Sequence, residues 1–147
     1  MNGFVLLKFM WLLSVICALA MHPSNEKTGT LIVEVQGITQ PKGDLQIGIY
    51  NNANGFGQKE KVYMGKVVSV NSNTVTVSLP QLPHGTYAIC VFHDKNKNGV
   101  LDKSFFGIPT EAYGFSNNVR GTLGLPDFDD AKFEFNSNKN KISLVVK

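Results

Sequence analysis

Cysteine is nearly missing from this chain. There are two, Cys17 and Cys90, and Cys17 falls in an apolar N-terminal run that reads as a removable leader. The folded part then carries a single thiol, which closes no internal disulfide and excludes the stapled scaffolds common among small secreted domains. Cys90 lies within Tyr87-Ala88-Ile89-Cys90-Val91-Phe92 and reads as a small buried hydrophobe. The histidines, His22, His84 and His93, show no ligand spacing with one another or with Cys90, so a zinc centre has no support. There is no G-x-S-x-G nucleophile elbow. Net charge is only +3 and the basic residues are scattered, so no basic run marks a nucleic-acid surface. No segment shows a helical stripe of useful length.

The one long apolar run comes first. Lys8 gives a weakly positive start, Phe9 to Ala20 is apolar, and Ala18-Leu19-Ala20 has the small-x-small form of a cleavage site. Residues 1–20 are therefore expected to be a signal peptide, with Met21 as the mature N-terminus and export to the periplasm or cell exterior. The run is short for an uncleaved anchor, and no membrane span is expected after cleavage. Lipidation of Cys17 would need a small residue before it, and Ile16 stands there. Residues 21–29 read as a flexible polar leader and residues 30–147 as one domain, long enough to bury its own core.

Within that domain the pattern has a period of two. Thr30 to Gln36, Asp44 to Tyr50, Thr74 to Leu79, Lys132 to Phe135 and Lys141 to Val146 alternate apolar and polar residues. Tyr87 to Phe92 is apolar on both faces, as a central strand would be, and Met64 to Val70 is a less regular seventh. Turns rich in Pro, Gly and Asn separate the runs at Gln40-Pro41-Lys42-Gly43, Asn71-Ser72-Asn73 and Leu82-Pro83-His84-Gly85. The expected fold is all-β: an antiparallel two-sheet sandwich of about seven strands, immunoglobulin-like or transthyretin-like. Any helix should be short and lie between Asp94 and Asp130, where the alternation stops. A connection that long inside a compact domain points to function.

Its first segment is His93-Asp94-Lys95-Asn96-Lys97-Asn98-Gly99-Val100-Leu101-Asp102. Oxygen-bearing side chains recur at Asp94, Asn96, Asn98 and Asp102, with Gly99 where a calcium loop makes its sharp turn and the Val100 carbonyl as a further donor. Alternate side chains of a curling loop converge on one hard cation, so calcium is the expected ion. The segment departs from an EF-hand. Its twelfth position is Phe105, which has no carboxylate, and no helix pattern flanks it. Glu111 is the expected replacement ligand, with Asp127, Asp129 and Asp130 behind it. The competing reading is an Asn/Asp/Gly turn held by its own hydrogen bonds.

The second segment runs from Gly107 to Asn118. Tyr113 and Phe115, with Phe105 and Phe106 nearby, could stack on a ligand, while Ser116 and Asn117 could hydrogen-bond it, as in glycan or peptide sites. Equally, the aromatics could plug the sandwich and the polar groups satisfy loop backbone. Leu82-Pro83-His84-Gly85-Thr86-Tyr87-Ala88-Ile89 is similar to the turn and strand of transthyretin-like modules. Taken together, His93 to Gly99, Gly107-Ile108-Pro109-Thr110-Glu111-Ala112-Tyr113-Gly114-Phe115-Ser116-Asn117 and Phe128-Asp129-Asp130-Ala131 resemble the bacterial exported family called domain of unknown function 2141. The resemblance implies a secreted β-sandwich and brings no established activity. The residues themselves point to a non-catalytic binding or accessory module with a structural calcium loop, acting on an envelope or extracellular partner such as a glycan or protein. A purely structural envelope role and a hydrolase using loop carboxylates such as Asp102 and Glu111 are the alternatives.

Overall fold

Two β-sheets face each other across an aliphatic core in the computed structural model, which describes residues 27–122 and 124–147. The expectations for the signal peptide and for most of the leader fall on residues 1–26, outside the described residues. The strands are β1 (Thr28–Gln36), β2 (Asp44–Tyr50), β3 (Met64–Ser69), β4 (Val75–Pro83), β5 (Gly85–Asp94), β6 (Tyr113–Phe115), β7 (Phe133–Phe135) and β8 (Lys139–Val145). One sheet has the order β4-β1-β8. The other has the order β3-β2-β5-β6, with β7 also paired to β5.

Alternation decides the faces. Leu31, Val33 and Val35 of β1 and Val75, Val77 and Leu79 of β4 turn inward. They meet Leu45, Ile47 and Ile49 of β2 and Ile89 and Val91 of β5, all nearly or fully buried. Each such side chain is worth about 1.5–3 kcal/mol when removed from water. Strand β5 is apolar on both faces: Ile89 and Val91 lie in the core, Ala88 is buried on the outer face, and Cys90 and Phe92 are half-buried there. Outside the main core, Tyr50, Phe56, Ala88, Phe115 and Ala131 form a second buried cluster, with Val62, Cys90 and Phe128 packed against it. Phe56 is its hub, edge-on to Tyr50 at 5.5 Å and to Phe128 at 5.7 Å.

All seven expected strands are present, with four departures. β1 pairs with β8 in parallel, Leu31 opposite Asn140 and Val35 opposite Leu144, so the sandwich is not wholly antiparallel. A period of two reports which face is buried and is blind to strand direction. Nearly the whole chain lies between β1 and β8, which leaves room for the crossover a parallel pair needs. β1 also begins at Thr28, where Thr28 and Gly29 pair with Pro83 and Leu82 of an equally extended β4. An eighth strand, β6, is too short for alternation to reveal. Helix is scarce, as expected: α1 (Phe128–Ala131) and a 3-10 turn at Ser116–Asn118 lie in the long connection. Two further 3-10 turns, Ala53–Gly55 and Lys59–Lys61, lie outside it, where Asn52 caps the first by accepting from the Gly55 N–H. Among the described residues no helix is long and apolar enough to cross a membrane.

Candidate functional site: the Asp94 loop and the groove beside it

Asp94 is the last residue of β5 and is fully buried. Its carboxylate organises the loop that follows. Oδ1 accepts from the Asn98 N–H at 3.0 Å, and Oδ2 accepts from the Gly99 N–H at 2.7 Å and from Gln46 Nε2 at 3.0 Å. Burial works to raise its pKa. The hydrogen bonds from Gly99, Gln46, Asn98 and Lys97 outweigh burial, and the net effect holds the group below the ordinary carboxylate value. Gly99 has φ +74°, and a Cβ built there would meet only the Lys59 Nζ at 3.8 Å. Glycine is needed there for backbone conformation and not for space.

The other loop side chains converge as their spacing implies. Asn96 Nδ2 donates to Asp102 Oδ2 at 2.7 Å and Asn98 Nδ2 to Asp102 Oδ1 at 2.9 Å. The amide oxygens turn back to the loop, accepting from the Asn98 and Val100 N–H groups at 3.1 and 2.9 Å. Lys97 points away to an ion pair with Asp44 at 3.0 Å. Glu111 is buried beside the loop. Its Oε1 accepts from the Lys95 N–H at 2.7 Å and its Oε2 from the Asp102 N–H at 3.2 Å. Glu111 therefore ties the two ends of the loop together. Asp127, Asp129 and Asp130 belong to α1 and its N-cap, and Asp129 pairs with Lys132 at 2.7 Å.

The donor set suits a hard cation in kind: two carboxylates, two amides and a glycine turn on one curl of backbone. An asparagine amide turns end for end about its terminal bond, so this backbone can present either nitrogen or oxygen to Asp102. No cluster of three or more His, Cys, Asp or Glu side chains suited to a metal occurs among the described residues. Charge in the loop is thus low, and amide and backbone oxygens would carry much of any coordination.

The Gly107 to Asn118 residues divide. Ser116 is fully buried: its Oγ accepts from the Ile89 N–H at 2.9 Å and donates to the Ala131 carbonyl. Asn117 Nδ2 donates to the carbonyls of Asp130 and Lys132 at 3.0 and 2.9 Å. Asn118 Oδ1 accepts from the Val145 N–H at 2.8 Å. These polar groups fasten β6 to its neighbours. Gly114 lets β6 close on β8, since a Cβ there would run into the Val145 carbonyl. Tyr113 and Phe115 instead line a groove on the outer face of the β3-β2-β5-β6 sheet. Phe105 and Phe106 stand 98% and 84% exposed at the tip of the turn closed by the Lys103–Pro109 bridge.

The groove has a volume of about 560 Å³, within the ~300–1,000 Å³ usual for small-ligand sites. Gly48 and Gly65 pair across β2 and β3; the Tyr50 ring lies over Gly48, Gly65 leaves the floor low, and Cys90 lies on β5 opposite Gly48. Burial pushes the Cys90 thiol up to about 12 and, with Cys90 and Glu60 nearby, raises the Tyr50 hydroxyl to about the same value. One wall is the Asp94 loop itself, through Gly99, Val100 and Leu101. Lys59 closes onto that wall, its Nζ donating to the Gly99 carbonyl at 3.0 Å. Gln46 joins floor to loop through its bond to Asp94. Sequence reasoning did not single out Gln46, Lys59, Lys66, Phe92 or Lys103, all of which line the groove. The available signal was that the outward positions of Tyr87–Phe92 are apolar, which marks a covered face. A second recess of about 410 Å³ near Tyr63, His84 and Thr86 holds none of the site residues chosen from sequence.

His93, at the end of β5, is fully buried and its Nε2 lies 2.7 Å from the Lys42 carbonyl. A carbonyl only accepts, so Nε2 carries the proton and the ring anchors the β1–β2 turn. His84 packs edge-on against Phe135 at 5.6 Å.

No curated protein and no solved structure matches the chain. A family model does match it, over residues 33–143, which takes in both sheets, the Asp94 loop and the groove. The chain belongs to the family described as an uncharacterized protein conserved in bacteria (DUF2141).

Proposed function

We propose that this protein is an exported, non-catalytic binding or accessory module whose Asp94–Asp102 loop takes up calcium as a structural ion. The observation that carries the reading is that Asn96 and Asn98 gather on Asp102 while Asp94 holds the backbone of the same loop, which also walls a ligand-sized groove. An ion there would hold the wall in place, with Asp94 and Asp102 as the charged ligands, Asn96, Asn98 and the Val100 carbonyl as neutral ones, and Glu111 completing or bracing the set. Low ligand charge puts the affinity in the weak extracellular range of about 0.1–1 mM. Export rests on the N-terminal leader motif. The alternative is a hydrolase that uses Asp102 and Glu111, both of which bond loop amides or backbone in this fold.

Calcium titration of thermal or urea stability tests this. For a site near 1 mM, 10 mM calcium stabilises the folded state by about 1.4 kcal/mol. Asp94→Ala and Asp102→Ala should each remove most of that gain, and Lys97→Ala should not. An unmutated protein unmoved by calcium up to 10 mM would end the calcium reading. Export is checked by the mass of the envelope form, which should begin at Met21 or within a residue or two of it.

A further inference from the structure

The groove has a composition that points to a class of ligand. Its floor and sides are apolar, built from Tyr50, Cys90, Phe92, Phe115, Val62 and Val67. Every formally charged residue that lines it is a lysine: Lys59, Lys66 and Lys103. Glu60 is the carboxylate whose charge reaches the groove, through Tyr50, and it stands outside the lining. A further cation, the Arg120 guanidinium, lies 5.1 Å from the centre of the Tyr113 ring. Lys66 pairs with Ile47 and so sends its side chain to the other face of the sheet, but the Lys59 ammonium sits at the Gly99 wall and Lys103 joins the same lining. Cations beside an apolar trough complement a molecule with one anionic head and a long apolar body. The body removes apolar surface from water against the rings and valines. The head takes one or more lysines, which can move to meet it on flexible stems.

We propose that this groove binds a free medium-chain fatty carboxylate, or an organic anion of the same build. The reading extends the binding role proposed above and shares with it only the loop that forms one wall.

Isothermal titration calorimetry with dodecanoate below its micelle concentration is the direct test. Dodecyltrimethylammonium has the same tail with the opposite charge, and acetate has the head alone. Dodecanoate should bind at least about tenfold more tightly than either. Gly65→Leu should block the trough and lower dodecanoate affinity about tenfold or more. It should leave the melting temperature unchanged, because Gly65 is exposed on edge strand β3, is not at positive φ, and a Cβ there meets nothing closer than Val62 Cγ1 at 3.6 Å. Lys59→Gln with Lys103→Gln should erase the preference for the anion while the tail still binds.

Phe105→Ser with Phe106→Ser is the control for adhesion to the exposed tip, and it should change nothing. Equal binding of the two tails, indifference to Gly65→Leu, or loss of binding in the Phe105/Phe106 variant would each overturn the groove as an anion site. Running each titration in calcium and in chelator separates the two readings. Dodecanoate binding in chelator, without any calcium effect on stability, sustains the groove and removes the ion. A calcium response with no dodecanoate binding does the reverse.

Discussion

Glu111 is the residue whose removal should be felt most sharply at this site. It is 7% exposed, and each carboxylate oxygen holds one backbone N–H, Lys95 at one end of the loop and Asp102 at the other. A hydrogen bond to a charged group contributes about 1.5–3 kcal/mol. The Lys95 bond is short and belongs near the top of that range. The 3.2 Å bond to Asp102 belongs near the bottom. Water can reach the freed amides of a loop this close to the surface, which softens the loss. Glu111→Ala should therefore destabilise by about 2–4 kcal/mol. Glu111→Gln keeps one acceptor for Lys95 and turns an NH2 toward the Asp102 N–H, so it should cost about 1–2 kcal/mol. With a urea slope of about 1–3 kcal/mol per molar, the alanine variant's midpoint should fall by about 1–2 M in chelator. The same titration in 10 mM calcium reads a second quantity. If calcium still stabilises the variant as much as the parent, Glu111 braces the loop and is not an ion ligand. The clamp itself would be refuted by an alanine variant within about 0.5 kcal/mol of the parent, the ordinary range for an unremarkable surface change.

Three other outcomes are expected. Asp94 has its pKa lowered on folding, so the stability it confers is complete above the unfolded value of 3.8 and is lost as pH falls through the lower folded value; Asp94→Asn should be less stable than the parent at pH 7 in chelator, and urea midpoints should converge as pH is taken down through that range. Cys90, held as a neutral thiol up to about pH 12 by burial, should resist iodoacetamide at pH 8 in the folded protein and react readily once urea unfolds it. Ser116→Ala removes a buried hydroxyl that accepts from Ile89 and donates to Ala131, and it should cost about 1–3 kcal/mol by chemical denaturation.

Strand positions were legible because burial is written into every second residue. Leu45, Ile47 and Ile49 could face only inward, and Asp44 to Tyr50 is β2 to the residue. Direction and partner were not legible. The parallel pairing of β1 with β8 depends on where the last strand arrives after the rest of the fold has formed, and Lys141 to Val146 would read the same in either direction. The three-residue strand β6 escaped for another reason. Tyr113, Gly114 and Phe115 are held by backbone bonds to β5 and by a glycine chosen for closeness to β8, neither of which leaves a periodic trace.

The loop and the groove show the same division at the level of function. Loop spacing is local: Asp94, Asn96, Asn98 and Asp102 lie on one short curl, and the approach of Asn96 and Asn98 to Asp102 could be read from their spacing. A groove is non-local. Lys59 comes from a 3-10 turn, Val67 from an edge strand and Lys103 from the far end of the loop, and nothing in their spacing announces that they line one groove. Glu111 stands between the two cases. Phe105 at the twelfth loop position signalled that a carboxylate was missing, and the fold brings Glu111 to the loop. There it engages the loop's backbone ends, so its first effect is mechanical. The same loop carries Gly99, Val100 and Leu101 into the groove wall, and Gln46 bonds Asp94 from the groove floor. An ion on Asp94 and a ligand against Val100, the two occupants proposed above, would therefore act on one another through a few short bonds. If both bind, each should favour the other by the same factor, because coupling between two sites is reciprocal.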